Sequence, residues 1–130
     1  CTEKDRVAAT TIFAAIGIAE TVSEDLLDVV TALSGSGPAY FFYFVECMTS
    51  AAVELGLPEE QARRLAVQTA YGAGRMLAET GDLPATLRER VTSKGGTTFA
   101  ALESFREHDF YGVVEAAMNA AAARSKELGQ

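Results

Sequence analysis

The chain has 130 residues, of which 48% are hydrophobic and 22% charged, and its formal net charge is −7. This composition is typical of a globular domain rather than a disordered segment. The negative charge disfavours nucleic acid as a partner, because phosphates are bound by clustered lysine and arginine. No apolar run approaches the roughly 20 residues that a membrane helix requires, so we expect no membrane partner either.

Residues that could bind metal or form disulfides are few. Cys1 and Cys47 do not make a disulfide framework, and no histidine, cysteine and carboxylate set has metal-site spacing, so we expect no metal. The sole histidine, His108, is interpreted as a surface or capping residue. Without a signal segment at the N-terminus, the sequence predicts a cytoplasmic protein. A start at Cys1 is typical of a piece of a longer chain, and residues 1–130 are predicted to form one domain.

Apolar residues recur at helical spacing and strand signals are nearly absent, which predicts an all-α fold with seven helices. The first helix is expected from about Glu3 to Ile16. The second begins near Ser23, a typical N-cap residue, and breaks at Ser34-Gly35-Ser36-Gly37. Pro38 suits the first turn of the third helix, which is predicted to end at Gly56.

The second half of the chain has equally clear helix boundaries. Prolines open the fourth and fifth helices and a glycine follows the fourth. The residues concerned are Pro58, Gly81 and Pro84. The sixth helix is predicted from Thr97 to about Glu107, and Asp109 is the predicted cap of the seventh.

Small residues indicate unusually close helix packing. Gly72 and Gly74 lie inside the fourth helix, where each costs about 1 kcal/mol relative to alanine. Four consecutive alanines occupy positions 120–123, and a helix that is apolar all round is normally buried. A compact bundle core and burial against a second copy of the chain both explain this pattern.

The first candidate functional segment is Ser34-Gly35-Ser36-Gly37-Pro38-Ala39-Tyr40. Its glycines permit a tight turn, and the following helix start presents N–H groups that could receive an anion or a cofactor edge. A purely structural corner between two helices explains the segment equally well. Neither serine is expected to act as a nucleophile, because no strand precedes them and no base partner is evident.

The second candidate segment is Val91-Thr92-Ser93-Lys94-Gly95-Gly96-Thr97-Thr98. Paired glycines expose backbone amides at a helix start, Thr97 and Thr98 add hydroxyls, and Ser93 and Lys94 flank them. Such a group can hold a small carboxylate through N–H donors, the helix dipole and hydroxyls. Sulfate or phosphate would fit as well, and a plain capped turn is the alternative.

These two segments resemble the two most recognisable stretches of the pyrroline-5-carboxylate reductases. The lead-in at residues 28–33, the stretch at 52–58 and Ala101-Leu102-Glu103 are also similar, and the resemblance runs from Gly17 to the end of the chain. Members of that family join an N-terminal Rossmann domain to an all-helical C-terminal domain that interlocks two subunits. The resemblance implies that this chain is the C-terminal dimerisation and substrate domain, a helical bundle interlocked with a second copy, without the Rossmann domain.

The resemblance further implies the activity. The full enzyme would be an oxidoreductase that reduces 1-pyrroline-5-carboxylate to L-proline with NADPH or NADH, the last step of proline biosynthesis. Thr98 would be the catalytic residue, hydrogen-bonded to the ring nitrogen. The substrate carboxylate would be bound by Ser93, Gly95, Gly96, Thr97 and Thr98. The residues expected near the nicotinamide are Ser34, Gly35, Ser36, Gly37 and Pro38.

Two departures from the family pattern stand out. The dinucleotide fingerprint GxGxxG is missing, so the chain alone is expected to be inactive and to bind no NAD(P)H. Lys94 stands where many relatives have proline, which implies a less rigid loop. Of two alternatives, a hydroxyacid-type dehydrogenase is disfavoured because no lysine lies inside a helical core. The other is a purely structural oligomerisation module, which shares the expected homodimer or higher homo-oligomer.

Overall fold

The computed structural model describes residues 2–129, and helix α1 occupies Glu3–Ala14 at its beginning. A capping box starts this helix, because the Thr2 hydroxyl accepts from the Asp5 N–H and the Asp5 carboxylate accepts from the Thr2 N–H at 2.8 Å. Within residues 2–129, α1 packs against no other helix, and its large apolar residues Val7, Ile12 and Phe13 are exposed. This helix therefore contributes nothing to a core of the single chain.

The next helical segment is bent and almost continuous. A 3₁₀ turn at Glu24–Leu26 leads into α2, Leu27–Val30, and a π-turn follows at Thr31–Gly35. Helix α3 then runs over Gly37–Glu54. Ser23 does hold the N-cap position of the first turn, but its side chain makes no capping hydrogen bond. The segment thus carries the chain in one bent path from Glu24 to Glu54.

The remaining helix boundaries confirm the sequence prediction closely. The helices are α4, Glu59–Glu79; α5, Pro84–Arg90; α6, Thr97–Glu107; and α7, Phe110–Leu128. Asp109 caps α7 from a left-handed backbone conformation, with φ of 48°, and its carboxylate accepts from the Gly112 N–H at 3.2 Å. Proline geometry and capping are local effects, which explains why the sequence located these ends.

Two packing contacts organise the chain. Helices α3 and α4 form an antiparallel hairpin, and the small residues Ala62 and Ala66 of α4 are buried. Helix α7 returns to pack across α2 and the π-turn, where the Ser125 hydroxyl donates to the Asp28 carboxylate at 2.7 Å. The last helix therefore supports the segment that precedes α3.

An aromatic cluster joins the start of α7 to α3. The rings of Phe105 and Phe110 stack at 5.1 Å between centroids, and Phe44 lies 6.3 and 6.2 Å from them in tilted arrangements. These separations are favourable for aromatic pairs. All three rings remain about 40% exposed, so the cluster is only half covered by its own chain.

Little of the chain is buried. In the described part, the buried hydrophobic residues are Ala32, Ala62, Ala66 and Leu87, and none is larger than leucine. The exposed surface is 10607 Å², whereas a folded monomer of this mass exposes about 6,600 Å². The excess of about 4,000 Å² is several times what one partner buries in a standard interface. The chain does not form a compact bundle core on its own, and its large apolar faces need a further partner.

None of the helices within residues 2–129 is both long enough and apolar enough to cross a membrane.

Candidate functional site

The Ser93–Thr98 loop connects α5 to α6 through a tight turn. Gly95 has φ of +72°, a conformation that L side chains rarely adopt. The Gly96 N–H donates to the Ser93 carbonyl at 3.0 Å and closes the turn. A Cβ on Gly96 would lie 2.3 Å from Oγ of Ser93, so that hydroxyl lies directly over the glycine. The paired glycines are thus required by the shape of this loop.

The start of α6 leaves backbone donors unused. Gly96 occupies the N-cap position without a side-chain cap, and the first helical bond is the Ala100 N–H to the Gly96 carbonyl at 3.1 Å. In residues 2–129, no acceptor faces the N–H groups of Thr97, Thr98 and Phe99. Three aligned donors at the positive end of a helix dipole favour a negatively charged ligand. The first turn of α6 carries no acidic residue that would compete for this position.

The hydroxyl-bearing residues of the loop differ in exposure. Thr98 and Gly96 are half-buried, whereas Ser93, Lys94 and Thr97 are exposed. The Thr98 hydroxyl makes no hydrogen bond with another described residue, so it is available to a ligand. Thr92 by contrast has a structural role, because its hydroxyl donates to the Arg88 carbonyl at 2.6 Å.

The other candidate segment largely follows its prediction. The π-turn keeps the chain helical through Gly35, the chain bends at Ser36, and α3 begins at Gly37, so the break lies inside the expected Ser34–Gly37 stretch. The Ser36 N–H donates to the Thr31 carbonyl at 2.8 Å, an i to i+5 bond that accommodates one extra residue in the turn. The start of α3 has no side-chain cap, and Pro38 lies in its first turn, as predicted.

The side chains of the π-turn are directed inward as well as outward. The Ser34 hydroxyl donates to the Val30 carbonyl at 2.9 Å, and the Ser34 residue remains exposed. Gly35 is exposed, Ser36 is half-buried and Gly37 is buried. The exposed residues of the predicted Ser34–Pro38 segment are Ser34, Gly35 and Pro38, and Ser34 and Gly35 on the π-turn are small enough for close approach of a cofactor ring.

Within one chain the two candidate segments lie apart. Helix α5 packs on α4, and α6 packs on α7, while neither approaches the π-turn among the described residues. The sequence alone did not indicate this separation, because both segments were assigned to one pocket by resemblance.

Two hydrogen bonds near the π-turn had not been expected from the sequence. The Tyr40 hydroxyl donates to the Ala32 carbonyl at 3.0 Å, and Ser125 bonds Asp28 across 97 positions of sequence. The sequence offers a signal for the Tyr40 bond, because Tyr40 directly follows the glycine-rich segment. No local pattern connects Ser125 with Asp28, so only the tertiary structure reveals that pair.

His108 occupies the C-cap of α6, with Nδ1 2.8 Å from the Ser104 carbonyl oxygen. This placement confirms its interpretation as a capping residue at the surface. The described residues contain no group of three or more histidine, cysteine, aspartate or glutamate side chains that could hold a metal. The site thus consists of backbone donors and hydroxyls.

Together these features define an all-helical domain with large uncovered apolar faces and a helix start whose first N–H groups have no acceptor within residues 2–129. The sequence model of the pyrroline-5-carboxylate reductase dimerisation family matches residues 24–128. The chain therefore belongs to that family, and the resemblance noted from the sequence is confirmed.

Individual relatives agree with this assignment. The chain is 49% identical to pyrroline-5-carboxylate reductase of Pseudomonas aeruginosa over 120 residues, 92% of this chain and 44% of the relative. It is 43% identical to the Arabidopsis thaliana enzyme, covering 99% of this chain and 47% of the relative. The chain thus spans about half the length of the curated relatives that it matches.

Solved structures show the same helical fold. A pyrroline-5-carboxylate reductase from Coxiella burnetii superimposes with a TM-score of 0.92 at 40% identity, over 98% of this chain and 48% of that one. The Plasmodium falciparum enzyme, solved with NADP bound, gives a TM-score of 0.86 at 32% identity, over all of this chain and 50% of that one.

Proposed function

We propose that residues 1–130 act as one domain, the part of a pyrroline-5-carboxylate reductase that joins two subunits and holds the substrate carboxylate. The complete enzyme would reduce 1-pyrroline-5-carboxylate to L-proline with NAD(P)H. The observation that carries the proposal is the start of α6, where the N–H groups of Thr97, Thr98 and Phe99 have no acceptor in the described chain. Because the chain belongs to this family, we expect the anion at this site to be the carboxylate of 1-pyrroline-5-carboxylate.

The carboxylate is bound by the first turn of α6. The amides that follow Gly96 point along the helix axis, and a carboxylate placed there satisfies them and benefits from the dipole. The Ser93 hydroxyl lies over Gly96 and adds a further donor. Lys94, exposed at the tip of the loop, adds positive charge nearby.

Thr98 acts at the ring nitrogen. Reduction places a hydride on the carbon of the C=N bond and a proton on the nitrogen, and the nicotinamide supplies the hydride when it is bound. The half-buried Thr98 hydroxyl is free of other described partners and can hydrogen-bond the nitrogen while the amides hold the carboxylate. The protein thus orients the substrate and assists the proton at nitrogen.

The outer side of the π-turn, Ser34 and Gly35, would lie beside the nicotinamide. The two segments are separate within one chain, which supports a pocket assembled from two subunits. The excess of about 4,000 Å² of exposed surface supports a homodimer as well, since obligate interfaces are large and apolar. Assembly beyond the dimer and a cytoplasmic location stay predictions.

Turnover of Thr98→Ala in the full-length enzyme tests the catalytic role. Losing one hydrogen bond to a group that gains charge costs about 1.5–3 kcal/mol, so kcat should fall about 10- to 100-fold. Thr98→Ser keeps the hydroxyl and is the matched control, with most of the turnover retained. Thermal unfolding should change little in either variant. An alanine variant with wild-type turnover would refute the role of Thr98.

The alternative of a purely structural module makes a different prediction. It requires the Ser93–Thr98 loop to bind no proline-like acid, even in the dimer. NMR titration of the chain with L-proline discriminates the two, because binding at the loop should shift the Gly96, Thr97 and Thr98 amides first. Shifts absent at millimolar L-proline would favour the structural module.

A further inference from the structure

The carbonyl of Ala32 is an unusual acceptor in this chain. Ala32 lies in the π-turn and is 1% exposed, the lowest value among the buried hydrophobic residues of the described part. Its carbonyl accepts a hydrogen bond from the Tyr40 hydroxyl at 3.0 Å, eight residues along the chain. The bond is part-buried, so water does not readily replace it.

This bond spans the bend between the π-turn and α3. π-helical turns are rare and occur mostly as single turns within helices, frequently at functional sites. Helix α7 packs against one side of the turn, and Tyr40 holds it from the first turns of α3. The π-turn is thus fixed from two directions, and Tyr40 is the contact that sets its geometry relative to α3.

We propose that Tyr40 is a positioning residue for the cofactor side of the active site: its hydroxyl holds the π-turn so that Ser34 and Gly35 present a defined surface to the nicotinamide. The cofactor role of Tyr40 rests on the proposed function. The fixing of the π-turn by Tyr40 rests on the structure alone. Tyr40 is only half-buried and need not contact the reacting atoms itself.

Tyr40→Phe is the informative variant, because it removes the hydroxyl and keeps the ring. Tyr43→Phe is the matched control: Tyr43 lies on the same helix and is 66% exposed, its hydroxyl makes no hydrogen bond with another described residue, and phenylalanine keeps the ring that a second copy would cover. A hydrogen bond of ordinary strength corresponds to an effect of about 2- to 10-fold.

The first measurement is hydrogen exchange of the present chain. Backbone amides of residues 32–37 should exchange about 2- to 10-fold faster in Tyr40→Phe than in the wild type or in Tyr43→Phe. Amides of the Ser93–Thr98 loop should be unaffected, since α5 and α6 do not approach the π-turn. Unchanged exchange at 32–37 would overturn the proposed fixing of the turn.

The second measurement is the steady-state kinetics of the full-length enzyme. In Tyr40→Phe, the KM for NADPH should rise about 2- to 10-fold while the KM for 1-pyrroline-5-carboxylate stays within error. A merely structural loss would lower the amount of active enzyme and leave the ratio of the two KM values unchanged. Equal changes in both KM values, or none, would overturn the cofactor role.

The two measurements separate the inference from the proposed function. If wild-type full-length protein fails to reduce 1-pyrroline-5-carboxylate, the proposed function is wrong, and the cofactor role of Tyr40 falls with it. Hydrogen exchange still decides whether Tyr40 fixes the π-turn. If the wild type is active and the KM of Tyr40→Phe for NADPH is unchanged, the cofactor role of Tyr40 is wrong and the proposed function stands.

Discussion

Replacing Phe42 with aspartate should dissociate the homodimer that we propose for this chain. Phe42 is 72% exposed in the N-terminal third of α3, and its neighbours Phe41 and Tyr43 are 69% and 66% exposed. Successive residues of an α-helix point about 100° apart, so more than half of the circumference of α3 has no cover from its own chain. A second copy of the chain is the expected cover.

The size of the effect follows from the exposed fraction. Burying a whole phenylalanine stabilises by about 1.5–3 kcal/mol, so the part of Phe42 left exposed accounts for about 1–2 kcal/mol in each copy. A symmetric dimer contains the contact twice, giving about 2–4 kcal/mol. Aspartate adds the cost of taking a charge out of water on both sides. Dimerisation should therefore weaken by at least about 100-fold.

Light scattering on a sizing column, over a range of protein concentrations, measures this directly. The wild type should give twice the chain mass of 13.8 kDa, and Phe42→Asp should move toward the monomer on dilution. Gln61→Glu is the control, because it adds the same charge at an exposed polar position in the first turn of α4, where the dipole favours it.

Two results would refute the reasoning. If Phe42→Asp stays dimeric at the same concentrations as Gln61→Glu, this side of α3 is not the interface. If the wild type is a well-folded monomer, the exposed apolar surface is not covered by a second copy, and a pocket assembled from two subunits is excluded.

Two further predictions concern helix α4 and helix α1. A Cβ at Gly72 would meet nothing within 4 Å in the chain, so helix propensity alone predicts that Gly72→Ala raises the free energy of unfolding by about 1 kcal/mol. Because we expect a second copy to approach this face of α4, we predict instead that the thermal midpoint of the dimer falls. A higher midpoint would show that no second copy approaches Gly72. The Thr2 N–H, and then the Thr2 hydroxyl, donate to the Asp5 carboxylate and lower its pKa from the ordinary value of 3.8. The contribution of this cap to the stability of α1 should therefore be complete above pH 3.8 and be lost as the pH falls through the lowered pKa of Asp5. NMR titration of the Asp5 amide would follow this loss. A cap that persists unchanged in Asp5→Asn would contradict this account.

The sequence by itself determined the helices and one candidate site. Prolines at 38, 58 and 84 and the capping residue Asp109 located helix ends to within one or two residues. The uncapped start of α6 at Gly96 was also predictable, because it depends only on the paired glycines and on the lack of an acidic residue in the first turn of the helix. Capping, proline geometry and glycine conformations depend on neighbours in sequence, which is why these predictions succeeded.

Only the tertiary structure decided the rest. The sequence located the break between the second and third helices, but it did not indicate the π-turn over Thr31–Gly35, which packs against α7 and is bonded by the Tyr40 hydroxyl. The small core and the separation of the two candidate segments likewise depend on where helices pack, and the Ser125–Asp28 bond joins positions 97 residues apart. Hydrophobic periodicity shows which faces of a helix must be covered, but it does not show whether the cover comes from the same chain or from another, because both bury the same apolar area.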